Sequence, residues 1–467
     1  MIHKKASWPR LQVLGLVSVL LALLLPARAA AQSVLEPDRQ KLLNGLTILF
    51  WPRPGDANVL LKLRIHSGAA FDLAGKGGMM ALLGDALFPD PTTREYVTEQ
   101  LGGRLNVNTN YDATDVTISG KASEFERMIE LFRSGLVATQ LTPENVARVR
   151  DARIKHLSEK PLTAPEIADR AVAARLLGGF PYGHPASGTA ETVSKVDRSD
   201  LLLARERFLN ADNATLVVIG GVEEGRALHA LRQLLGPWSK GDRTVPATFR
   251  QPDPPDARVL VVNQPGAATA EIRLAVRGLA RSDRDAAAAS LLAYIARDLW
   301  QQETLELSSV SVRHDPHALP GIFVMGASVP GASASKAVAT AQKVVRRLYQ
   351  VTLSANELQN WRSADMSELS RQSLHQDSAE VIADTWLDIE TFKLPPKSGQ
   401  VSSLEDLTPA DLQRVATRLF KDVSVATVVV GDYEQVKATF DRNIELRSEL
   451  PEVRKAAAPA KPTKKPQ

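Results

Sequence analysis

The side chains able to do chemistry are few in this chain, and their types limit the reactions it could catalyse. The 467 residues contain no cysteine, which excludes thiolate nucleophiles, disulfides and sulfur-ligated zinc. A metal site would therefore need His, Asp or Glu side chains. His314 and His317 are three residues apart in RHDPHALPG, but they flank Pro316 in a predicted turn, where no helix face holds them together. We expect these two histidines to be solvated rather than to bind metal.

Several common functional classes have no signature in this sequence. There is no GxSxG elbow for a serine nucleophile and no GxxxxGK[ST] loop for a nucleotide phosphate. The formal net charge of +4, with both signs mixed, is too small to indicate nucleic-acid binding. The apolar fraction of 44 % and the charged fraction of 24 % are close to those of average soluble globular proteins.

One predicted core helix contains two unusual residues. The stretch GGMMALLGDALF, residues 77–88, has the apolar density of a buried helix, yet Gly84 and Asp85 lie in its last turns. A glycine inside a helix costs about 1 kcal/mol relative to alanine. Helix stability alone therefore does not explain the residue at position 84.

The chain contains an internal repeat. The segment NATLVVIGGVE from Asn213 recurs as VATVVVGDYEQ from Val425, an offset of 212 residues, and three further pairs of segments recur at nearly the same offset. A repeat of about two hundred residues is typical of domain size. We expect an N-terminal half over 33–236, a Pro-rich linker over 237–257 and a C-terminal half over 258–447.

Each half is predicted to mix hairpin strands with helices. Residues 46–50 and 59–65 alternate or run β-branched on either side of a Pro/Gly-rich turn, which predicts a hairpin. Apolar spacing over 124–136 and 164–177 predicts amphipathic helices. Since strands and helices do not alternate strictly, the predicted fold class is α+β, with two homologous halves, each a layered unit of largely antiparallel sheet covered by helices.

Both ends of the chain have a biased composition. Residues 1–31 combine a basic lead, an apolar run over 11–25 and small residues before a cleavage after Ala31, which predicts a secretory signal peptide. No cysteine follows for lipid attachment, so we expect a periplasmic protein. The Ala/Pro/Lys tail over 448–467 is predicted to be disordered, and its basic charge could contact an anionic membrane surface weakly.

A series of motifs resembles the insulinase-type zinc peptidases, which include the mitochondrial processing peptidase subunits and bacterial two-subunit peptidases. In chain order the motifs are LNGL, HSGAA, GKGG, LGGRLNVNTNYDATDVTISG, FPYGHPASGT and NADNATLVVIGGVE. The internal repeat extends the resemblance over roughly 33–447. It implies two homologous halves of the predicted α+β kind that face one another across a chamber.

The resemblance also implies where a zinc site would be. Active members carry HxxEH on the helix that GGMMALLGDALF resembles, with two histidines on zinc and a glutamate that polarises water. Alignment of the two helices places Ala81 and Asp85 at the histidine positions and Gly84 at the general base. The third ligand, a glutamate on a later helix, aligns with His156 in VRDARIKH. The resemblance therefore implies no catalytic residue, metal ligand or cofactor on this chain.

Asp85 and His156 remain possible ligands in their own right. If the fold is kept, they should approach one another, either as part of a rebuilt metal site or as a hydrogen-bonded pair. They could also simply face solvent. Two ligands without a third bind zinc weakly, and no carboxylate at position 84 could activate water.

In active assemblies of this family, the C-terminal half often carries an arginine and a tyrosine that stabilise the developing oxyanion of the substrate. Alignment places Thr304 and Ser311 at those two positions, so the pair is expected to be absent. Arg297 and Arg313 are nearby and are weaker candidates for the arginine role.

A predicted edge strand could still bind substrate. In active relatives the strand that resembles RLNVNTNYDATDVTI adds the substrate peptide to a sheet edge. Asn106, Asn108 and Thr109 are the possible contacts in this chain. The alternative is an ordinary strand whose polar residues meet water.

These implications lead to one favoured hypothesis and two alternatives. The favoured one is a non-catalytic subunit of a periplasmic, two-chain zinc metalloendopeptidase. It would form a heterodimer with a homologous chain that carries HxxEH and zinc, and together they would enclose an extended peptide. The first alternative is a peptide-binding or scaffold protein of the cell envelope without a proteolytic role. An active peptidase with a rebuilt site ranks last.

Overall fold

The computed structural model places the repeated segments in two β-sheets. The predicted signal peptide over 1–31 and the predicted tail over 448–467 lie outside the described residues, as does part of the predicted linker. The described residues are 36–241, 249–303, 309–372, 378–395, 405–440 and 443–447.

Six strands form the first sheet: β1 Asp38–Lys41, β2 Thr47–Pro52, β3 Asn58–Ile65, β4 Arg104–Thr109, β5 Thr114–Lys121 and β6 Ala214–Gly220. Their spatial order is β1-β2-β6-β3-β5-β4, and among these strands β2 and β6 form the single parallel pair. The predicted hairpin of 46–50 with 59–65 is wrong, because β6 lies between β2 and β3 and pairs with both. Alternating hydrophobicity identifies a strand but does not select its partner.

The second sheet has six strands: β7 Val259–Asn263, β8 Thr269–Arg277, β9 Ser309–Asp315, β10 Ile322–Pro330, β11 Ala426–Gly431 and β12 Ile444–Arg447. Their order is β12-β7-β11-β8-β10-β9. The run β7-β11-β8-β10-β9 repeats the run β2-β6-β3-β5-β4 of the first sheet. The predicted fold class is thus confirmed, whereas the limits predicted for the two halves stay predictions.

Fourteen helices are present among the described residues. Eight precede the second sheet: α1 Met79–Leu87, α2 Pro91–Glu99, α3 Phe125–Leu136, α4 Pro143–Glu159, α5 Ala164–Leu177, α6 Ala190–Ser194, α7 Arg198–Phe208 and α8 Glu224–Leu235. Six more belong to the second half: α9 Ala286–Glu303, α10 Ala334–Gln350, α11 Ala355–Gln372, α12 Ala379–Phe392, α13 Pro409–Phe420 and α14 Tyr433–Lys437.

The two halves exchange a helix, so each sheet is covered on both faces. Helix α5 of the first half packs on β8 and β11 of the second sheet, where Ala171 and Val172 contact the layer that contains Val428. Helix α12 of the second half packs on β3 and β6, where Trp386 and Leu387 are buried. Burying a large apolar side chain contributes roughly 1.5–3 kcal/mol. Each half therefore depends on the other for one layer of its core.

Ion pairs join the exchanged helices to the sheets. The Arg64 side chain on β3 donates to both Asp115 oxygens, at 2.6 and 2.9 Å, and to Asp388 on α12 at 2.6 Å. In the second half, Arg273 on β8 donates to Asp169 on α5 at 2.5 Å. Both arginine side chains are only 6 % exposed, so water screens these pairs poorly.

The described residues from Pro37 onward form one compact unit. None of the helices that the described residues form has the length and apolarity needed to cross a bilayer.

Candidate functional site

Helix α1 carries the positions that the sequence assigns to a former zinc site. The helix begins after Gly78, whose φ of 88° lies in the left-handed region that glycine adopts without a steric penalty. The Asp72 carboxylate accepts the backbone N–H groups of Gly78 at 2.6 Å and Met80 at 2.7 Å, which caps the start of the helix. Burial raises the pKa of Asp72 to about 7, against the effect of these two donors. Eight of the nine helix residues are buried, and Asp85 is the exception.

Gly84 marks a close approach between α1 and the edge strand β4. A Cβ at this position would lie 2.9 Å from Thr109 Oγ1 and 3.3 Å from Val107 Cγ1. Thr109 is held there by a 3.1 Å hydrogen bond between its hydroxyl and that of Thr114. The cavity beside Gly84 has a volume of about 10 Å³, at the lower limit for one water molecule. A glutamate at position 84 could not fit unless the strand moved.

A guanidinium connects the two positions aligned with the zinc histidines. Arg153 on α4 donates from Nε to Asp85 Oδ2 at 2.7 Å and from Nη2 to the Ala81 carbonyl at 3.3 Å. Its Nη1 donates to the Ser187 carbonyl at 3.3 Å. The Arg153 side chain is 16 % exposed. A fixed positive charge therefore lies where the alignment expects a metal cation.

Arg153 is the functional-site residue that the sequence reasoning missed. It lies inside VRDARIKH, four residues after Val149, which is buried in the cluster that contains Met80 and Leu83 of α1. Residues four apart share a helix face, so this spacing already placed Arg153 towards α1. The alignment directed attention to His156 instead.

His156 does not meet Asp85. It is exposed on α4, whereas the carboxylate of Asp85 is paired with Arg153. This answers the question left open by the sequence: the two residues neither share a hydrogen bond nor form the start of a metal site.

The residues at this site do not fit a zinc ion. Ala81 offers no side-chain ligand, Gly84 offers no base, and the Arg153 guanidinium would repel a cation. Across the described parts of the chain, no group of three or more His, Asp or Glu side chains is arranged to hold a metal.

The candidate substrate strand β4 lies at the edge of the first sheet. It pairs with β5 on one side and with no other described strand. Asn106 and Asn108 are exposed, together with Arg104, which is ion-paired with Glu380 on α12. The Thr109 side chain lies on the opposite face of β4, where its hydroxyl forms a hydrogen bond with the hydroxyl of Thr114. Two of the three predicted contact residues are therefore accessible to a peptide.

The second-half positions do not form an oxyanion pair in the described residues. Thr304 lies outside the described residues, and Ser311 is exposed on the edge strand β9. Arg313 is ion-paired with Asp315 at 2.8 Å and with Asp169 at 3.4 Å, which assigns it to the contact between the halves. Arg297 stacks over the ring of Tyr294 at 4.7 Å.

The prediction that His314 and His317 are solvated is wrong. His314 is part of β9, is 8 % exposed and accepts the Leu279 N–H through Nε2 at 3.0 Å. Burial lowers its pKa to about 4. His317 bonds Asp112 Oδ2 at 3.0 Å and packs against the ring of Tyr182, whose hydroxyl donates to Asp112 at 2.8 Å. The strand extends further than the proline-based turn prediction allowed, so His314 is buried within the second half, whereas His317 joins the two halves.

Comparisons with known proteins agree with this architecture. Residues 195–364 match the family described as the peptidase M16 inactive domain. An uncharacterized zinc protease of Rickettsia felis is 20 % identical over 216 residues, 45 % of this chain and 52 % of that protein. Subunit 1 of the mitochondrial cytochrome b-c1 complex of Mus musculus is 22 % identical over 216 residues, 45 % of each chain. The chain thus matches about half the length of these curated relatives.

Solved structures share the fold over most of the chain. A protease from Helicobacter pylori has a TM-score of 0.72 at 16 % identity and covers 85 % of this chain and 100 % of its own. An M16 inactive domain from Pseudomonas fluorescens has a TM-score of 0.73 at 17 % identity. The match covers 85 % of this chain and 98 % of that chain. The periplasmic protease PqqL of Escherichia coli has a TM-score of 0.70 at 18 % identity. The match covers 87 % of this chain and 49 % of that chain. These matches confirm the predicted resemblance to the insulinase-type peptidases, and the fold of the chain is that of the M16-like peptidases.

Proposed function

We propose that this chain is a non-catalytic M16-type subunit that encloses a peptide substrate together with a homologous chain carrying HxxEH. The zinc and the general base belong to the partner. The observation that carries this proposal is the Arg153 guanidinium between Asp85 and the Ala81 carbonyl, at the positions aligned with the two zinc histidines. A chain that needed its own metal could not keep a cation there.

Retention of the framework around this position supports the proposal. Helix α1 keeps its buried packing residues, and the Asp72 cap fixes its first turn. The match of residues 195–364 to the M16 inactive domain lies outside helix α1 and supports a relation of the later part of the chain to M16 peptidases. What is preserved here is a shape that can pair with a related chain.

The exposed edge of β4 supports a role in holding substrate. An extended peptide can pair with the free backbone groups of an edge strand, and side-chain amides can add hydrogen bonds. Asn106 and Asn108 provide such amides on the exposed face of β4. We assign them to substrate contact rather than to chemistry.

Two separate features support a periplasmic location. The sequence of residues 1–31 predicts a secretory signal, and PqqL, which shares the fold, is described as periplasmic. We propose that the mature chain and its partner meet in that compartment.

Reconstitution with a partner tests the proposal. The purified chain alone should hydrolyse no peptide, and a mixture with an HxxEH-carrying homologue from the same organism should show activity that a metal chelator removes. Replacing the glutamate of the partner's HxxEH by glutamine is the matched control and should abolish activity in the mixture. Hydrolysis by this chain alone, with zinc bound in stoichiometric amount, would contradict the proposal.

A scaffold role is the second candidate, and a specific likeness favours it. The chain resembles subunit 1 of the mouse cytochrome b-c1 complex, and a chain of complex III2 from Candida albicans shares the fold with a TM-score of 0.71 at 13 % identity. A pull-down from the periplasm separates the two roles. Recovery of an HxxEH chain supports the subunit role, and recovery of an envelope complex without any peptidase supports the scaffold role.

A further inference from the structure

The second half contains an apolar cavity that the proposed function does not use. Its volume is about 310 Å³, and it lies between helix α10 and the second sheet. The wall is mostly hydrocarbon: Leu274, Val276, Phe323, Met325, Val345 and Phe420. Ligand cavities in proteins begin at about this volume and are predominantly apolar.

Three polar side chains of α10 line one side of this cavity. Gln342, Arg346 and Tyr349 follow the spacing i, i+4, i+7 and so share one helix face. Gln342 and Arg346 are exposed, which places them at the solvent side of the cavity. Among the described residues, none forms an ion pair with Arg346, and none forms a hydrogen bond with the side chain of Gln342, Arg346 or Tyr349. Within the part of the chain that the structure describes, the Arg346 guanidinium next to this hydrocarbon pocket thus has no ion-pair partner.

The cavity at the matching end of the first sheet is much smaller. There Ile65, Thr114 and Phe208 line a cavity of only about 10 Å³, and Leu83 and Leu87 of α1 close it. The repeat places Phe208 and Phe420 at matching positions, an offset of 212 residues. The two halves therefore differ in the size of the cavities found at these matching positions.

We propose that this cavity binds an unbranched aliphatic carboxylic acid. Its hydrocarbon chain would lie against the apolar wall, and its carboxylate would accept hydrogen bonds from Arg346, with Gln342 and Tyr349 as neutral donors. A guanidinium binds a carboxylate through two parallel N–H groups. A water-sized group occupies about 30 Å³, so the volume suits a chain of roughly eight to ten carbons.

Calorimetric titration of the full chain with decanoate and with 1-decanol tests the proposal. Decanoate should bind at least about tenfold more tightly than the alcohol, because only the acid pairs with Arg346. Arg346→Gln should weaken decanoate binding by about tenfold or more and leave decanol unchanged. Arg347→Gln is the matched control, since Arg347 is the next residue on the same helix and does not line the cavity.

A second variant tests the position of the hydrocarbon chain. Val345→Trp should fill the half-exposed mouth of the cavity and abolish binding of both ligands, with circular dichroism showing that the fold is kept. Three results would each overturn the proposal: no decanoate binding at about 1 mM, equal weakening by Arg346→Gln and Arg347→Gln, or unchanged binding in folded Val345→Trp.

Discussion

The guanidinium of Arg153 lies between the carboxylate of Asp85 and the carbonyl oxygen of Ala81, and it is largely removed from water. Two like charges a few ångströms apart repel strongly at low effective dielectric, so this arrangement opposes a metal cation. Gly84 also opposes a zinc site, because it lets β4 approach helix α1 at the position where the side chain of a general base would need space. Ala81, Gly84 and Asp85, which align with the zinc-site positions, thus take part in a well-packed structural contact.

Removing Arg153 should destabilise the fold without creating activity. Arg153→Ala leaves the Asp85 carboxylate, which is 35 % exposed, without its cation. We expect the free energy of unfolding to fall by about 1–2 kcal/mol, less than for a fully buried pair because water still reaches Asp85. Urea denaturation measures the change. Arg148→Ala, an exposed arginine on the same helix, is the control and should change stability by about 0.5 kcal/mol or less. Equal effects of the two variants would contradict a role for the Asp85 pair.

Adding one methyl group at position 84 tests the close approach of α1 and β4. Helix propensity alone would make Gly84→Ala stabilising by about 1 kcal/mol. The new Cβ would lie 2.9 Å from Thr109 Oγ1, so we expect a net loss of about 1–2 kcal/mol. In a Thr109→Ala background the clash is reduced and the same substitution should cost much less. A double-mutant cycle by urea denaturation measures the coupling, and purely additive effects would refute this account.

His66 should make the contact between the halves sensitive to acid. Its Nδ1 bonds Thr391 Oγ1 on α12 and its Nε2 bonds Thr215 Oγ1 on β6, each at 3.0 Å. Burial lowers the pKa of His66 to about 4. Its neutral form therefore stabilises the fold above about pH 6.5, and this contribution is lost as the pH falls towards 4. The stability difference between the wild type and His66→Gln should shrink by roughly 1–3 kcal/mol over that range. A difference that does not vary with pH would contradict the assignment.

At the scale of elements, the exchanged helices could not be read from the sequence. The apolar spacing over 164–177 predicted helix α5 correctly, and the repeated segment NATLVVIGGVE/VATVVVGDYEQ correctly related β6 to β11. Periodicity shows that a helix has a buried face but not which sheet covers it. Periodicity likewise does not show which strands pair, so a hairpin of β2 with β3 was predicted although β6 lies between them.

Helix α12 should stabilise the first sheet more than its own half. Trp386 is 5 % exposed and packs with Leu387 against β3 and β6, with its ring 6.3 Å from that of Trp51. Trp386→Ala should cost about 3–5 kcal/mol. Hydrogen exchange should show the loss of protection first in β3 and β6. Val381→Ala, at an exposed position of the same helix, is the control. Loss of protection confined to the second sheet would contradict the exchange.

At the scale of the whole molecule, buried ion pairs and two exchanged helices join the halves. Arg64 and Arg273 each pair with an aspartate on the other half's helix, and each helix completes the other half's core. In the function proposed above, the substrate chamber lies between this chain and another rather than between the two halves of this chain. The sequence suggested such a partner only through the family resemblance, because contacts between distant parts of one chain cannot be read from periodicity.

The location of zinc in the two-chain assembly tests the central claim most directly. Metal analysis of the reconstituted pair should find zinc in equal amount to the partner, and replacing the histidines of the partner's HxxEH should remove it. Asp85→Ala and His156→Ala in this chain should leave the zinc content unchanged. Zinc that remains after the partner's histidines are replaced, and that is lost with Asp85→Ala, would show that this chain holds the metal and would contradict the account.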